Sequence, residues 1–435
     1  MGLDPVASSS GRGSARRDPQ ARVIATKLSQ NRMTPGTRSA AEASSIDVPG
    51  VRRTARVWNL QPEIQHYRIA VWDGLNQLGA ADSAYSLSVL GTLARDGEAI
   101  GGGKRPYFID CPLEHARRFG VRTSHWPRIE RLLRDDPPDV LLMEGNPRNM
   151  DCWRLPSMCH AMGIPVIAWT KVHSYSRWAP VMKILKPRFY SRFDCAVCYG
   201  ESSRDELAIS GFPPSRIFVA NNTIDTRRVF TDAERIGARG VHLRRVAGME
   251  GRRILLSIGR MDPEKRHGDL LDAWPRLREL DPSLALVIVS GGSLLEEIRV
   301  RAEALDRQRI LVTGRVPEGD DYAWVSACDA CIYPGAVGLA VNISLAFGKP
   351  TIIADEPGSD SEILRHGITG WRFRRGDVDA LVAAVRHMLE NPEEVAAVAA
   401  GARALMRDTV TMENMVANID KAIRMALALR GSARN

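Results

Sequence analysis

From residue 51 onward, short continuous apolar runs alternate with amphipathic stretches. ARVWNL, YSLSVL, DVLLM, IPVIAW, CAVCY and RIFVA come first; RRILLSI, LALVIV, RILVT, ACIY and PTIIA follow. Runs this short and this apolar read as strands of buried parallel sheets, and the stretches between them as crossover helices. The alternation breaks once, over a polar segment at 228–250, and then restarts. Two such sets predict an α/β chain of two doubly wound Rossmann-like domains, 51–227 and 251–410, facing a central cleft. A last helix, 411–435, carries Met412, Met415, Val416, Ile419, Ile423 and Leu427 close to a 3.6-residue period. Residues 1–50 are rich in Ser, Arg, Ala and Gly without any apolar period, which predicts a disordered extension. FDCAVCYGESSRDEL and CDACIYPGAVGLAVN form a weak repeat, each with an Asp ahead of a strand that is expected to cap the strand's start.

Composition narrows the function. The chain has 435 residues, 44% hydrophobic and 26% charged, which is more than one core serves. No apolar run reaches the length of a transmembrane helix, and the first residues lack the apolar core of a secretory signal, so a cytoplasmic protein is expected. A net charge of +9 favours anionic partners. No basic stripe with interleaved aromatics accompanies it, so nucleic acid is not expected as a partner. The seven cysteines include two CxxC pairs, Cys195/Cys198 and Cys328/Cys331. Residues three apart on a strand face opposite ways, so buried free thiols are expected rather than a zinc site; no metal is expected.

In open α/β sheets, ligands lie beyond the carboxyl ends of strands. The turns that follow strands in the second half are rich in glycine. SIGRMDPEKRHGDLLDAW (257–274) places Arg260 and Lys265 around a turn that precedes a helix. Two cations at such a place form a site for a diphosphate; the alternative is two solvated surface charges. In the first half, QHYRIAVW places Tyr67 and Arg68 after the first strand, and MEGNPRN places Glu144 and Asn146 after DVLLM. AWTKVHSYSRW places His173 after IPVIAW.

SIGRMDPEKRHGDLLDA resembles the donor-site signature of glycosyltransferase family four, the retaining enzymes with a GT-B fold. The similarity continues through SGGS, VTGRVP, ACDACIYP, VGLAVNISLAFGKPTIIAD and SEILRHGITGWRF, and RIFVANNTIDTRRVF is similar to the family's hinge-side segment. The resemblance implies a nucleotide-sugar, UDP- or GDP-linked, on the second domain and a glycan or lipid-linked acceptor on the first. Transfer proceeds with retention and without a metal or other cofactor, and the last helix crosses back onto the first domain. Arg260 and Lys265 match the pair that holds the leaving diphosphate. Gly259, Gly291 and Gly292 give the donor room, Val316 matches a base contact, and Gly338 and Leu339 offer N–H groups at a helix start. His173 matches a histidine close to the transferred sugar; Tyr67, Arg68, Glu144 and Asn146 are the acceptor-side candidates.

One departure stands out. The family carries Glu-x7-Glu where this chain has Gly335 and Ile343. Asn342 and Ser344 are the nearest polar substitutes, and Asp355 and Glu356 follow the next strand. The loss implies either a variant donor grip or a non-catalytic nucleotide-sugar binding protein. WAPVMKILKPRFYSRF (178–193) mixes aromatics with cations. It reads either as an outer-layer helix with a basic rim or as a peripheral surface for the inner face of an anionic membrane, presenting a lipid-linked acceptor. Polysaccharide synthesis is the setting implied.

Overall fold

Every apolar run named above becomes a strand. In a computed structural model that describes residues 53–93, 105–118, 121–172, 179–355 and 362–434, the first half holds β1 (Ala55–Glu63), β2 (Tyr85–Thr92), β3 (Phe108–Asp110), β4 (Glu114–Arg118), β5 (Val121–His125), β6 (Val140–Glu144), β7 (Val166–Thr170), β8 (Cys195–Cys198) and β9 (Ile217–Val219). Of these, β3, β4 and β5 lie outside the named runs, because FID, EHARR and VRTSH are short or polar. The second set gives β10 (Arg253–Ile258), β11 (Leu284–Val289), β12 (Ile310–Gly314), β13 (Ala330–Tyr333) and β14 (Thr351–Asp355), and β15 (Trp371–Arg374), whose alternating WRFR is not an apolar run, adds an edge strand. One sheet has the order β3-β2-β1-β6-β7-β8-β9, and the other β12-β11-β10-β13-β14-β15. All pairs within them are parallel; β4 and β5 form a separate antiparallel ribbon. This is the GT-B arrangement. The chain divides into the units Met1–Arg53 and Thr54–Asn435, and both sheets belong to the second. The extension expected to be disordered lies outside the described residues.

Continuous apolar strands are needed because both faces of each sheet are covered. Along β6, Leu141 and Met143 join one core while Val140 and Leu142 join the opposite one. Along β10, Leu255 faces one core of the second sheet, and Ile254 and Leu256 face the other. The first cysteine pair obeys the same rule: Cys195 and Cys198 fall in cores on opposite faces. Cys328 and Cys331 depart from the expected alternation: Cys328 precedes β13 rather than lying in it, and both thiols share one core with sulfurs 3.6 Å apart. All seven thiols are free and buried.

The aspartates of the internal repeat act one strand further than expected. Asp194 and Asp329 each precede a strand, but their carboxylates accept an N–H from the start of the neighbouring strand, Val166 at 2.7 Å and Ile254 at 2.8 Å. Asp139 does the same for Arg56 at 2.8 Å. Each ties two adjacent strand starts together at the edge opposite the cleft.

The polar segment 228–250, expected as a linker between the two domains, is largely helical. It forms the helix Ala233–Val246, which packs on the helix Asp320–Ala327 of the second domain. Gly240 sits so close to this partner that a Cβ there would lie 2.7 Å from the Ala323 carbonyl oxygen, and Arg239 grips Asp320 through two 2.8 Å bonds. Only Ile236 and Gly240 are buried, which is why the segment reads as polar. The last helix, Met412–Arg434, returns to the first domain: Met412, Met415, Val416, Ile419 and Ile423 enter the core lined by β1, β6 and β7. Arg424 bridges Asp82 and Asp420, and Tyr85 donates to Asp420 at 2.8 Å.

Candidate functional site

Both sheets reverse their strand order once, between β1 and β6 and between β10 and β13. The crevice beyond the carboxyl ends at such a reversal is where open α/β sheets bind ligands. In the second domain the crevice lies between Gly259-Arg260 and Pro334-Gly335.

The turns around it are stitched by backbone bonds. Met261 N donates to Gly291 O at 2.9 Å, Leu294 N to Met261 O at 2.8 Å, and Ser290 N to Gly314 O at 3.1 Å. Gly292 is required by this stitching, because a Cβ there would stand 2.4 Å from the Met261 nitrogen. Gly291 has open space instead, with nothing within 4 Å of a Cβ position. Ser290 is held at φ 132°, a strained conformation for a residue with a side chain, at the rim of the crevice.

Lys265 closes the 3-10 turn Pro263–Lys265 and reaches across the crevice. Its Nζ donates to the Ala336 carbonyl at 2.7 Å and stands 3.6 Å from the Cβ position of Gly338. Ala336 N in turn donates to Glu264 O at 2.8 Å. Arg260 extends outward, 77% exposed, with Nε on Asp262 at 2.8 Å, and Asp262 also accepts from Ser293 N and Oγ at 3.0 and 2.9 Å. The two cations therefore flank one turn, as the spacing predicts. His267 follows, and burial, with the charge of Lys265 next, pushes its imidazole down to about 4, so it is neutral at physiological pH. Val316 and Leu339 are half-buried against the same core.

The residues that replace the family's carboxylates are packed, not polar. Gly335 lies against the Pro263–Lys265 turn, where a Cβ would meet Glu264 O at 2.2 Å. Ile343 is buried in the core below. Asn342 and Ser344, expected to substitute for the glutamates, do not face the donor crevice: both are fully buried. The helix Ala340–Ala346 is buried on all sides, so its polar residues find partners inside the fold. Ser344 Oγ bonds the Tyr333 hydroxyl at 2.7 Å. Asn342 Nδ2 donates to Asn222 O at 3.1 Å and Thr223 Oγ1 at 3.2 Å, and Thr223 Oγ1 lies 3.3 Å from the Val410 carbonyl. Asn342 thus pins both chain crossings between the domains. Asp355 is engaged by Arg372, and Glu356 lies outside the described residues.

On the first domain the crevice lies between the end of β1 and the end of β6. Glu144 is largely buried there, and Asn146 donates to it at 2.7 Å. Burial pushes its carboxyl above the usual carboxylate range, against the opposing effect of the Asn146 bond. Tyr67 packs against the core of the second domain, and Arg68 is stacked among aromatic rings. His173 lies outside the described residues. Of the 178–193 segment, Phe189, Tyr190 and Phe193 are core residues, so these aromatics are not a membrane face.

Sequence reasoning missed two positions that join the domains. Glu362 accepts from Ser202 N at 3.0 Å and from the Ser202 hydroxyl, so a carboxylate of the second domain caps the helix Glu201–Ile209 of the first. Gly200 leaves the room, since a Cβ there would lie 2.3 Å from Glu362 Oε2. The second is Asn222-Thr223, within the hinge-side segment RIFVANNTIDTRRVF, which receives the Asn342 amide.

Two family models match the chain: "Glycosyltransferase Family 4" over residues 80–228 and "Glycosyl transferases group 1" over residues 242–405. The chain belongs to glycosyltransferase family four. Its relatives include the GDP-mannose-dependent alpha-(1-6)-phosphatidylinositol monomannoside mannosyltransferase of Mycolicibacterium smegmatis, 28% identical over 49% of this chain and 54% of that protein. Another is the O-antigen chain mannosyltransferase C of Escherichia coli, 25% identical over 54% of this chain and 62% of that protein. The chain spans about half the length of the curated relatives it matches first. The fold of family four is shared with Anabaena Alr3699/HepE, solved in complex with UDP, at a TM-score of 0.62 and 14% identity over 85% of this chain and all of that one. A glycosyltransferase from Rickettsia africae matches at a TM-score of 0.63 and 13% identity, over 87% of this chain and 99% of that one.

Proposed function

We propose that this chain transfers a sugar from a nucleotide-sugar, with retention and without a metal, to a glycan or lipid-linked acceptor in surface polysaccharide synthesis. The observation that carries the reading is the Lys265 ammonium held across the second domain's crevice, with Arg260 on the same turn. As the bond from sugar to diphosphate breaks, negative charge grows on the departing phosphate. Fixed cations beside it stabilise that charge more than they stabilise the intact donor, which is the condition for rate enhancement. Each charge-assisted hydrogen bond contributes about 1.5–3 kcal/mol. The open face of Gly291 leaves space for the donor. His173 is assigned to the sugar, and Glu144 and Asn146 to the acceptor, through their places in the sequence pattern and, for the latter two, at the first crevice.

A thermal-shift series with UDP-, GDP- and ADP-sugars tests the donor site. A ligand at a hundred times its Kd should stabilise the chain by about 2.7 kcal/mol. No shift with any of them would count against the reading. The second reading, a nucleotide-sugar binding protein without activity, is favoured by the packed Gly335 and Ile343, which leave no carboxylate at those places. It predicts the same shift with neither transfer nor slow donor hydrolysis.

A peripheral site on an anionic membrane at the cytoplasmic face completes the proposal. Ile184 is 79% exposed on the helix Ala179–Tyr190 and Ile209 is 88% exposed on the helix Glu201–Ile209, and the Lys186–Glu206 ion pair links the two helices. Exposed Arg188 lies beside them. The double substitution Ile184→Glu, Ile209→Glu should abolish co-sedimentation with anionic vesicles at low salt while leaving the melting temperature within a degree or two. Equal sedimentation of both proteins, or none by the wild type, removes the membrane from the proposal.

A further inference from the structure

Arg68 is a buried cation whose partners are all neutral. It is 8% exposed. Its guanidinium carbon lies 4.5 Å from the Trp169 ring centre, 5.4 Å from that of Tyr199 and 5.6 Å from that of Tyr67. Its Nη2 donates to the Tyr199 hydroxyl at 3.0 Å and, at 3.4 Å, to Asn222 Oδ1. Among the described residues no carboxylate forms an ion pair with it. Glu63, the nearest acid in sequence, is exposed and accepts from Gln65 at 3.0 Å. Aromatic faces attract a guanidinium, but they replace only part of the hydration it gives up on burial.

Its place in the fold adds to the imbalance. Arg68 ends the turn His66–Arg68 and leads into the helix Ile69–Ala81, whose first turn holds no acidic residue and no side-chain cap. The N-terminal end of a helix is its positive end, which disfavours a cation. Arg68 also stands beyond the carboxyl end of β1, beside the reversal of strand order in the first sheet. Burial, lack of a counter-ion and the helix end all raise the free energy of a cation here, and an anion would relieve all three.

We infer that Arg68 anchors a site for a phosphate-class oxyanion on the first domain, and that the acceptor carries this anion. The inference rests on the transferase reading above, since it assigns the chemistry of that acceptor. Stacking on Trp169 fixes the plane of the guanidinium, so its fork of N–H groups is already oriented for a phosphate or carboxylate. Half-buried Tyr67 and Tyr199 form the rim. The diphosphate of the donor offers the same chemistry, so the test must separate the two sources.

Calorimetry on the full chain does so. UDP, or GDP if UDP is silent, is titrated first; inorganic phosphate is then titrated into the nucleotide-saturated protein. The wild type is expected to bind nucleotide and then one phosphate. Arg68→Gln should keep nucleotide affinity within twofold and weaken phosphate at least tenfold, Arg68→Lys should weaken phosphate less, and Lys265→Ala should weaken nucleotide alone. Arg68→Lys keeps the test readable if the glutamine variant does not fold. No phosphate binding by the saturated wild type, or equal binding by Arg68→Gln, overturns the inference. A nucleotide affinity that falls in Arg68→Gln as in Lys265→Ala assigns Arg68 to the donor and overturns the acceptor half. Absence of nucleotide binding by the wild type strikes the donor reading instead, and phosphate titration of the unsaturated protein still decides whether Arg68 holds an oxyanion.

Discussion

Lys265→Ala is expected to lower turnover with a nucleotide-sugar at least tenfold while the protein stays folded. Tenfold corresponds to about 1.4 kcal/mol in the barrier, less than one charge-assisted hydrogen bond contributes. The ammonium is already oriented, with Nζ on the Ala336 carbonyl at 2.7 Å, so it needs little reorganisation when charge appears on the departing phosphate. The fold itself should lose little, because the turn is also held by the backbone bonds of Lys265 N to Asp262 O at 2.9 Å and Ala336 N to Glu264 O at 2.8 Å. Arg260→Ala should cost less, since Arg260 is mostly exposed and its charge is screened by water and by Asp262. The check is steady-state turnover for both variants beside their melting curves. Unchanged turnover in Lys265→Ala would remove the assignment of this crevice to the donor.

How much of this was legible in the sequence depended on the range of the interaction. The central strands were legible because each is apolar on both faces, as β6 and β11 illustrate, whereas β4 and β5 were not, because EHARR and VRTSH carry no continuous apolar run. The Arg260/Lys265 turn was legible because both cations lie within one local turn. The roles of Asn342 and Ser344 were not. Spacing along a helix says which residues share a face, but not whether the helix has an exposed face at all, and Ala340–Ala346 has almost none. The helix Ala233–Val246 was hidden for the opposite reason, because its contact surface is little more than Ile236 and a glycine. Glu362 and Gly200 make sense only together, and the sequence separates them by most of the second domain. The same limit applies to Gly335. In the sequence it is a glutamate lost from a motif; in the fold it is a contact surface for a turn from far earlier in the chain.

That contact leads to the second large effect: putting the family's carboxylate back should disable the site rather than repair it. A Cβ on Gly335 would lie 2.2 Å from Glu264 O, 2.6 Å from Lys265 C and 2.7 Å from Lys265 O. All three are backbone atoms, so no side-chain rotation relieves the overlap. Gly335→Ala must push the 334–336 turn away from Pro263–Lys265, lengthening the Ala336-to-Glu264 bond and drawing the Ala336 carbonyl off the Lys265 ammonium. Overpacking of this kind costs about 1–3 kcal/mol, and Gly335→Glu adds a carboxylate that must find its own space. Both variants should melt lower than the wild type and bind nucleotide at least tenfold more weakly, with glutamate the worse. Gly291→Ala is the internal control, because its Cβ has no neighbour within 4 Å and should leave stability nearly unchanged. Calorimetric titration with nucleotide, beside thermal melts of the three variants, decides the matter. If Gly335→Glu instead binds nucleotide-sugar more tightly than the wild type, the tight turn is not what this position is for, and the chain is better understood as a transferase that has lost a carboxylate it can still use.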